Sequence, residues 1–172
     1  MRWHPKLQGR QFLVRAGIAL LITLGVLFYT ADRFRLGIDD QVVKCLDPPR
    51  TWFIVDTAEQ DLRRGQLIAF AANDLMQPWF QPGQRIIKRV AGGPGDRIEI
   101  VDKQVRVNGA VVATGLALAG TMGTDPERFA RETFTLGDEE LWVMGDTTLS
   151  FDSRYWGVLK RNQVIGRAYA LF

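Results

Sequence analysis

Hydrophobic and polar positions are distributed in two ways along this chain. From Ala16 to Ala31 the sequence AGIALLITLGVLFYTA carries no charge, and Phe12-Leu13-Val14 extends the apolar run if Arg15 snorkels toward headgroups. Phe12 to Thr30 is nineteen residues, about 28 Å as a helix at about 1.5 Å per residue, close to the thickness of a bilayer core. Beyond residue 32 the pattern changes to short alternating runs punctuated by glycine and proline. Gln66 to Phe70, Arg97 to Val101, Gln104 to Val107 and Leu141 to Met144 read as strands, with Asp102-Lys103 as a hairpin turn between two of them. The best helix start in this part is Thr124-Asp125-Pro126-Glu127, leading into a short segment to Arg131. The pattern predicts a mainly β, antiparallel domain over residues 35–172, preceded by residues 1–34 as a basic N-terminus and one transmembrane helix.

Charge sharpens the topology. The chain has 22 Lys and Arg against 19 Asp and Glu, and a pI near 9.3. Arg2, Lys6, Arg10 and Arg15 all precede the apolar run with no acid among them, which leaves 18 basic against 19 acidic side chains in the rest. A near-neutral body argues against nucleic acid as a partner. Positive charge before the helix keeps the N-terminus in the cytoplasm and sends the β domain across the inner membrane to the periplasm. A cleaved signal peptide fits less well, because a cut after Ala31 would put bulky Tyr29 at the −3 position.

At 172 residues, with 47% hydrophobic and 24% charged side chains, the chain has the composition of one globular domain plus an appended segment. One cysteine and one histidine exclude an intramolecular disulfide and a Cys/His zinc site. No cofactor or metal is expected, and nothing in the pattern specifies an oligomeric state. A histidine-based triad would need His4, which falls on the cytoplasmic side of the anchor.

Three segments carry candidate chemistry. Cys45-Leu46-Asp47-Pro48 places a lone thiol in a proline-rich bend, although most lone cysteines are small buried hydrophobes. Lys88 interrupts the apolar strand Ile86 to Val90, which runs into Gly92-Gly93-Pro94-Gly95-Asp96. It reads either as a snorkelling edge residue or as a buried amine, and desolvation favours the neutral, proton-accepting form of such an amine. Gly145 to Gly157 is a dense polar loop, GDTTLSFDSRYWG, after an apolar strand, and alone could be a well-bonded turn.

Taken in order, these segments resemble the bacterial type I signal peptidases, membrane-anchored Ser/Lys-dyad proteases. Their blocks run S-M-x-P, R-G-D-I-V-x-F, K-R-V-x-G-x-P-G-D and G-D-N...S-x-D-S-R-Y-W-G. Here they stand as Cys45 to Pro48, Arg64 to Phe70, Lys88 to Asp96 and Gly145 to Gly157, with Ile165 to Ala168 continuing the likeness. The resemblance implies the antiparallel β fold of that family. It also implies Lys88 as general base, Ser150 as the hydroxyl holding the lysine, and Asp152 with Arg154 as a structural ion pair. The chain departs from the pattern in a loop one residue shorter before Ser150. It departs again in Val43, where many relatives carry a hydroxyl that helps the oxyanion hole, and in Cys45 at the serine's place. A thiol is a sound replacement, being more nucleophilic and easier to deprotonate.

Lys44-Cys45-Leu-x-Pro, together with the chain's shortness, is most similar to the conjugation-associated, pilin-processing branch. The implied substrate is a pilin precursor of a type IV secretion system, cut after a small residue. The thioester formed on Cys45 would suit subsequent cyclisation of the pilin. The alternatives are a general signal peptidase for exported proteins and a catalytically silent scaffold that binds pilin. Trp52-Phe53 is expected to flank the substrate or pack ordinarily. Leu75-Met76, Trp79 and Phe80 are expected either to dip into the outer leaflet or to join the core. Asp56 and Asp138-Glu139-Glu140 are expected in solvated turns.

Overall fold

The computed structural model describes residues 5–39, 41 and 43–171, with side chains from residue 9 onward. His4 and Arg2 lie outside the described residues, as does the side chain of Lys6. By internal contacts the chain divides into two units, Met1–Arg35 and Leu36–Phe172.

The first unit is dominated by one helix, α1 (Pro5–Arg33). Its stretch Gly9–Arg33 has a mean hydropathy of 2.1 and is long and apolar enough to cross a membrane. Leu21 and Phe28 are more than 70% exposed on its surface. Such a helix needs an apolar medium around it rather than a protein core. Thr23 and Thr30 donate their hydroxyls back to the carbonyls of Ala19 and Val26, so they add no unsatisfied polar group to the apolar stretch.

The second unit is built on two sheets. The larger has the strand order β1-β2-β11-β3-β4-β9-β10. Its strands are β1 (Phe34–Ile38), β2 (Trp52–Asp56), β3 (Leu67–Ala71), β4 (Arg85–Gly92), β9 (Glu140–Met144), β10 (Leu159–Lys160) and β11 (Val164–Ala170). The smaller has the order β7-β6-β5-β8, from β5 (Arg97–Val101), β6 (Gln104–Val107), β7 (Ala110–Thr114) and β8 (Arg131–Thr135). The pairings among β2, β3, β4, β9, β10 and β11, and all those of the smaller sheet, are antiparallel. The mainly β fold expected from the alternating runs is the one adopted. β5 and β6 have the predicted limits, and the turn between them holds Asp102 and Lys103 at φ 51° and 59°. Two consecutive positive φ angles match the right-handed twist of the strands they join. Asn108-Gly109, a standard turn pair that also takes positive φ, makes the next hairpin.

Sequence and structure differ at three places. The short helix after Thr124 is a 3₁₀ turn over Pro126–Phe129, and Asp125 caps it through the Glu127 N–H. The nearer carboxylate takes the capping role because its oxygen reaches the second residue of the turn directly. Asp56 is 5% exposed rather than solvated. It ends the interior strand β2 and accepts the Ala58 N–H, so the turn it starts is folded against the sheet. The aromatic loop divides between its two readings: Met76 and Phe80 are buried in the core, whereas Leu75 is 69% and Trp79 41% exposed.

The main core joins both sheets. Ile98, Ile100, Val105 and Val107 from the smaller sheet pack with Ile68, Phe70, Val90, Leu141 and Trp142 from the larger. Gly92 makes this approach feasible, since a methyl group there would lie 3.0 Å from Ile98 and 3.3 Å from Trp142. The polar loop after β9 is part of the same core: Phe151, Tyr155 and Trp156 are all buried in it.

Candidate active site

β4 alternates strictly, burying Ile86, Lys88, Val90 and Gly92. Lys88 therefore faces the interior between two apolar neighbours and is 1% exposed, so it does not snorkel. Its Nζ donates to Ser150 Oγ at 2.9 Å. Ser150 is wholly buried at the centre of the loop between β9 and the single turn α3 (Ser153–Trp156).

That loop is held from within. The Asp152 carboxylate accepts two bonds from the Arg154 guanidinium, at 2.8 and 2.7 Å, in a bidentate pair buried to 0% and 1% exposure. Asp152 also caps α3 through the Arg154 N–H and accepts the Gly145 N–H at 2.9 Å. Arg154 Nη2 donates further to the carbonyls of Thr147 and Ser150. Burial works against the Arg154 charge, but hydrogen bonding and attraction to Asp152 outweigh it, so the guanidinium binds its proton more firmly than usual. Ser153 Oγ accepts the Val143 N–H, tying the loop to β9.

Gly145 is where the loop meets the cysteine. A methyl group there would sit 2.3 Å from Ser150 Oγ and 2.8 Å from the Cys45 carbonyl oxygen, so only glycine allows the two segments to come together. The next residue pins the Cys45 bend at two points. The Asp146 N–H donates to the Cys45 carbonyl at 2.7 Å, and Asp146 Oδ2 accepts the Asp47 N–H at 3.1 Å. Arg89, on the opposite face of β4 from Lys88, grips the same carboxylate with two bonds of 2.8 Å and gives a third to the Gly65 carbonyl. Burial alone would raise the Asp146 pKa, but the bonds from Arg89 and the Asp47 N–H, with the charges of Arg89 and Lys88, bring it below the ordinary carboxylate value. Neither Arg89 nor Asp146 was distinguishable in the sequence as a site residue. Both lie inside segments that carry candidate chemistry, Lys88 to Asp96 and Gly145 to Gly157, without being singled out there.

Cys45 itself is 7% exposed. Its sulfur lies 3.7 Å from Gln41 Oε1 and 4.0 Å from the Val43 carbonyl oxygen, and among the described residues it makes no hydrogen bond to Lys88. The fold thus joins Lys88, Ser150, Asp152 and Arg154 through one buried network. It brings the Cys45 backbone against that network through Gly145 and Asp146, while the thiol is aimed at Gln41. Among the described residues no group of His, Cys, Asp and Glu is arranged to hold a metal.

Residues 10–172 match the family described as signal peptidase, peptidase S26. Plasmid transfer protein TraF of Escherichia coli is 38% identical over 90 residues, which are 50% of this chain and 51% of TraF. A probable signal peptidase I-2 of Synechocystis sp. is 29% identical over 114 residues, 66% of this chain and 49% of that protein. The chain thus spans about half the length of these relatives. A crystal structure of a signal peptidase I from Enterococcus faecalis V583 aligns at 25% identity with a TM-score of 0.40, covering 66% of this chain and 99% of the other. With its mainly antiparallel β domain and a match running from the apolar helix to the C-terminal residue, the chain belongs to the signal peptidase (peptidase S26) family.

Proposed function

We propose that this protein is a membrane-anchored endopeptidase that cleaves a pilin precursor for a conjugative type IV secretion system, with Cys45 as nucleophile and Lys88 as general base. The observation that carries the reading is the buried Lys88 amine, 2.9 Å from Ser150 Oγ in the heart of a folded network that also abuts Cys45. A lysine amine wholly inside an apolar strand and bonded to a buried hydroxyl is held where it can exchange a proton with a neighbouring reactive group. Similarity to a plasmid transfer protein supports the conjugative setting over general secretion. The apolar helix and the basic residues before it support a single-pass anchor in the inner membrane, with the N-terminus cytoplasmic and the β domain periplasmic.

In the proposed reaction the thiol proton passes to the Lys88 amine, and the sulfur attacks the carbonyl carbon of the scissile bond. The carbonyl electron pair moves onto oxygen, which the Cys45 N–H stabilises. Collapse of this intermediate breaks the C–N bond, and the Lys88 ammonium returns its proton to the departing amine. The acyl group is left as a thioester on Cys45. Water attacking the thioester, with Lys88 again taking a proton, releases a linear product. An amine at the other end of the pilin would instead close a ring.

Co-expression with the pilin precursor tests this. Cys45→Ala and Lys88→Ala are each expected to leave the precursor uncut, and mature pilin in either strain would overturn the catalytic reading. The intact mass of pilin from the wild-type strain distinguishes the two fates, a cyclic product being lighter than the linear one by one water.

A further inference from the structure

Gln41 stands close to the reacting sulfur, and the reading above assigns it nothing. We propose that its side-chain amide is the second donor of the oxyanion hole, in place of the hydroxyl that Val43 lacks. This rests on Cys45 being the nucleophile.

The geometry is local and specific. Gln41 Oε1 is 3.7 Å from Cys45 Sγ, so in the resting enzyme the thiol donates its proton toward the amide. Val43 cannot serve, because its side chain is apolar and 52% exposed, and only its carbonyl, an acceptor, faces the sulfur, at 4.0 Å. The Gln41 backbone is fixed by its N–H bond to Asp39 Oδ1 at 3.0 Å. Asp39 is in turn tied to Lys44, the residue before the nucleophile, through an ion pair of 3.7 Å and a bond from Lys44 Nζ to the Asp39 carbonyl. These ties among Asp39, Gln41 and Lys44 hold the amide beside the thiol.

An amide carries both an acceptor and two donors on one rotatable group. With the thiol protonated, the oxygen faces sulfur. Once that proton has moved to Lys88 and the sulfur has bonded to the carbonyl carbon, the acceptor has nothing to accept. Rotation of the amide then turns Nε2–H toward the oxygen on which negative charge develops, one bond beyond the sulfur. No proton is transferred to or from Gln41, and the donor works alongside the Cys45 N–H.

Two probes of the full chain in detergent separate this role from a structural one. p-Nitrophenyl acetate acylates the thiol through an oxyanion, whereas iodoacetamide alkylates it by direct displacement without one. Gln41→Ala is expected to slow acylation by about 10²-fold while alkylation stays near the wild-type rate, which also shows that the pocket is intact. Gln41→Glu keeps an acceptor and loses the donor, and is expected to be at least as slow. The proposal is overturned if acylation is unchanged in Gln41→Ala, if acylation and alkylation fall together, or if Gln41→Glu acylates like the wild type. If Cys45→Ala still releases the p-nitrophenolate burst, the nucleophile assignment fails instead, and the two failures are told apart.

Discussion

Lys88 and Cys45 approach each other from unlike surroundings. The lysine side, from β4 through the loop to α3, has a closed interior: Lys88, Ser150, Asp152, Ser153 and Arg154 are all buried, and Asp152 alone receives bonds from the Arg154 guanidinium, the Arg154 N–H and the Gly145 N–H. The cysteine side, from Asp39 to Asp47, contains no helix or strand among its described residues. It is held by the contacts between Asp39 and Lys44 and by the two bonds to Asp146, with Val43 and Asp47 exposed. Rigidity is thus concentrated around Lys88, the proposed base. The segment of Cys45, the proposed nucleophile, has fewer ties, which under that proposal leaves its thiol free to turn between Gln41 and a substrate carbonyl.

The largest expected effect breaks the rigid side. Asp152→Ala leaves the Arg154 charge buried without a counter-ion, which costs about 3–5 kcal/mol and should appear as a lower denaturant midpoint. A loss below about 1 kcal/mol would mean that the loop is not held as described. Gly145→Ala attacks the contact between the two sides. Its methyl group forces Ser150 away from the Cys45 carbonyl, with an expected loss of about 1–3 kcal/mol and of pilin cleavage. An unchanged midpoint would show that the segments part easily.

Acid sharpens the comparison at its hinge, Asp146. The folded carboxyl is more acidic than its ordinary value of 3.8, so on acidification the unfolded chain takes up the proton first. Its contribution is complete above that value and is lost as pH falls through the lower, folded value. Stability attributable to Asp146 should be flat from neutral pH to about pH 5 and decline below, and Asp146→Asn should flatten part of that decline in a pH series of thermal melts. The smallest effect belongs to Lys44→Ala on the looser side. A solvent-accessible pair of this kind contributes about 0.2–1 kcal/mol, and a larger loss would place this segment among the rigid parts of the fold.

The sequence disclosed the two sides unequally for the same reason. Lys88 stood out because a cation interrupts an apolar strand, and the loop because it is densely polar, with the roles of Ser150, Asp152 and Arg154 implied by the family resemblance. The bonds among them are local, so sequence proximity carried the information. Arg89 and Asp146 act across the fold instead: they meet from positions 57 apart in the chain, and no local pattern encodes that meeting. Asp56 misled for a related reason. An acidic residue beside Thr57 and Ala58 has the appearance of a solvated turn until β11 is seen paired along β2 as far as Asp56 itself.

The loop after β9 has a consequence for how the molecule fails. Phe151, Tyr155 and Trp156 anchor it in the same apolar cluster as Ile98 and Leu141, and Ser150, Asp152 and Arg154 alternate with or adjoin them. The buried amides from Ser150 to Trp156 are therefore expected to exchange slowly, opening to solvent as the cluster comes apart. Under the proposed mechanism, loss of this cluster and loss of the Lys88–Ser150 contact come in the same event, so a molecule that unfolds loses its cutting chemistry with its fold.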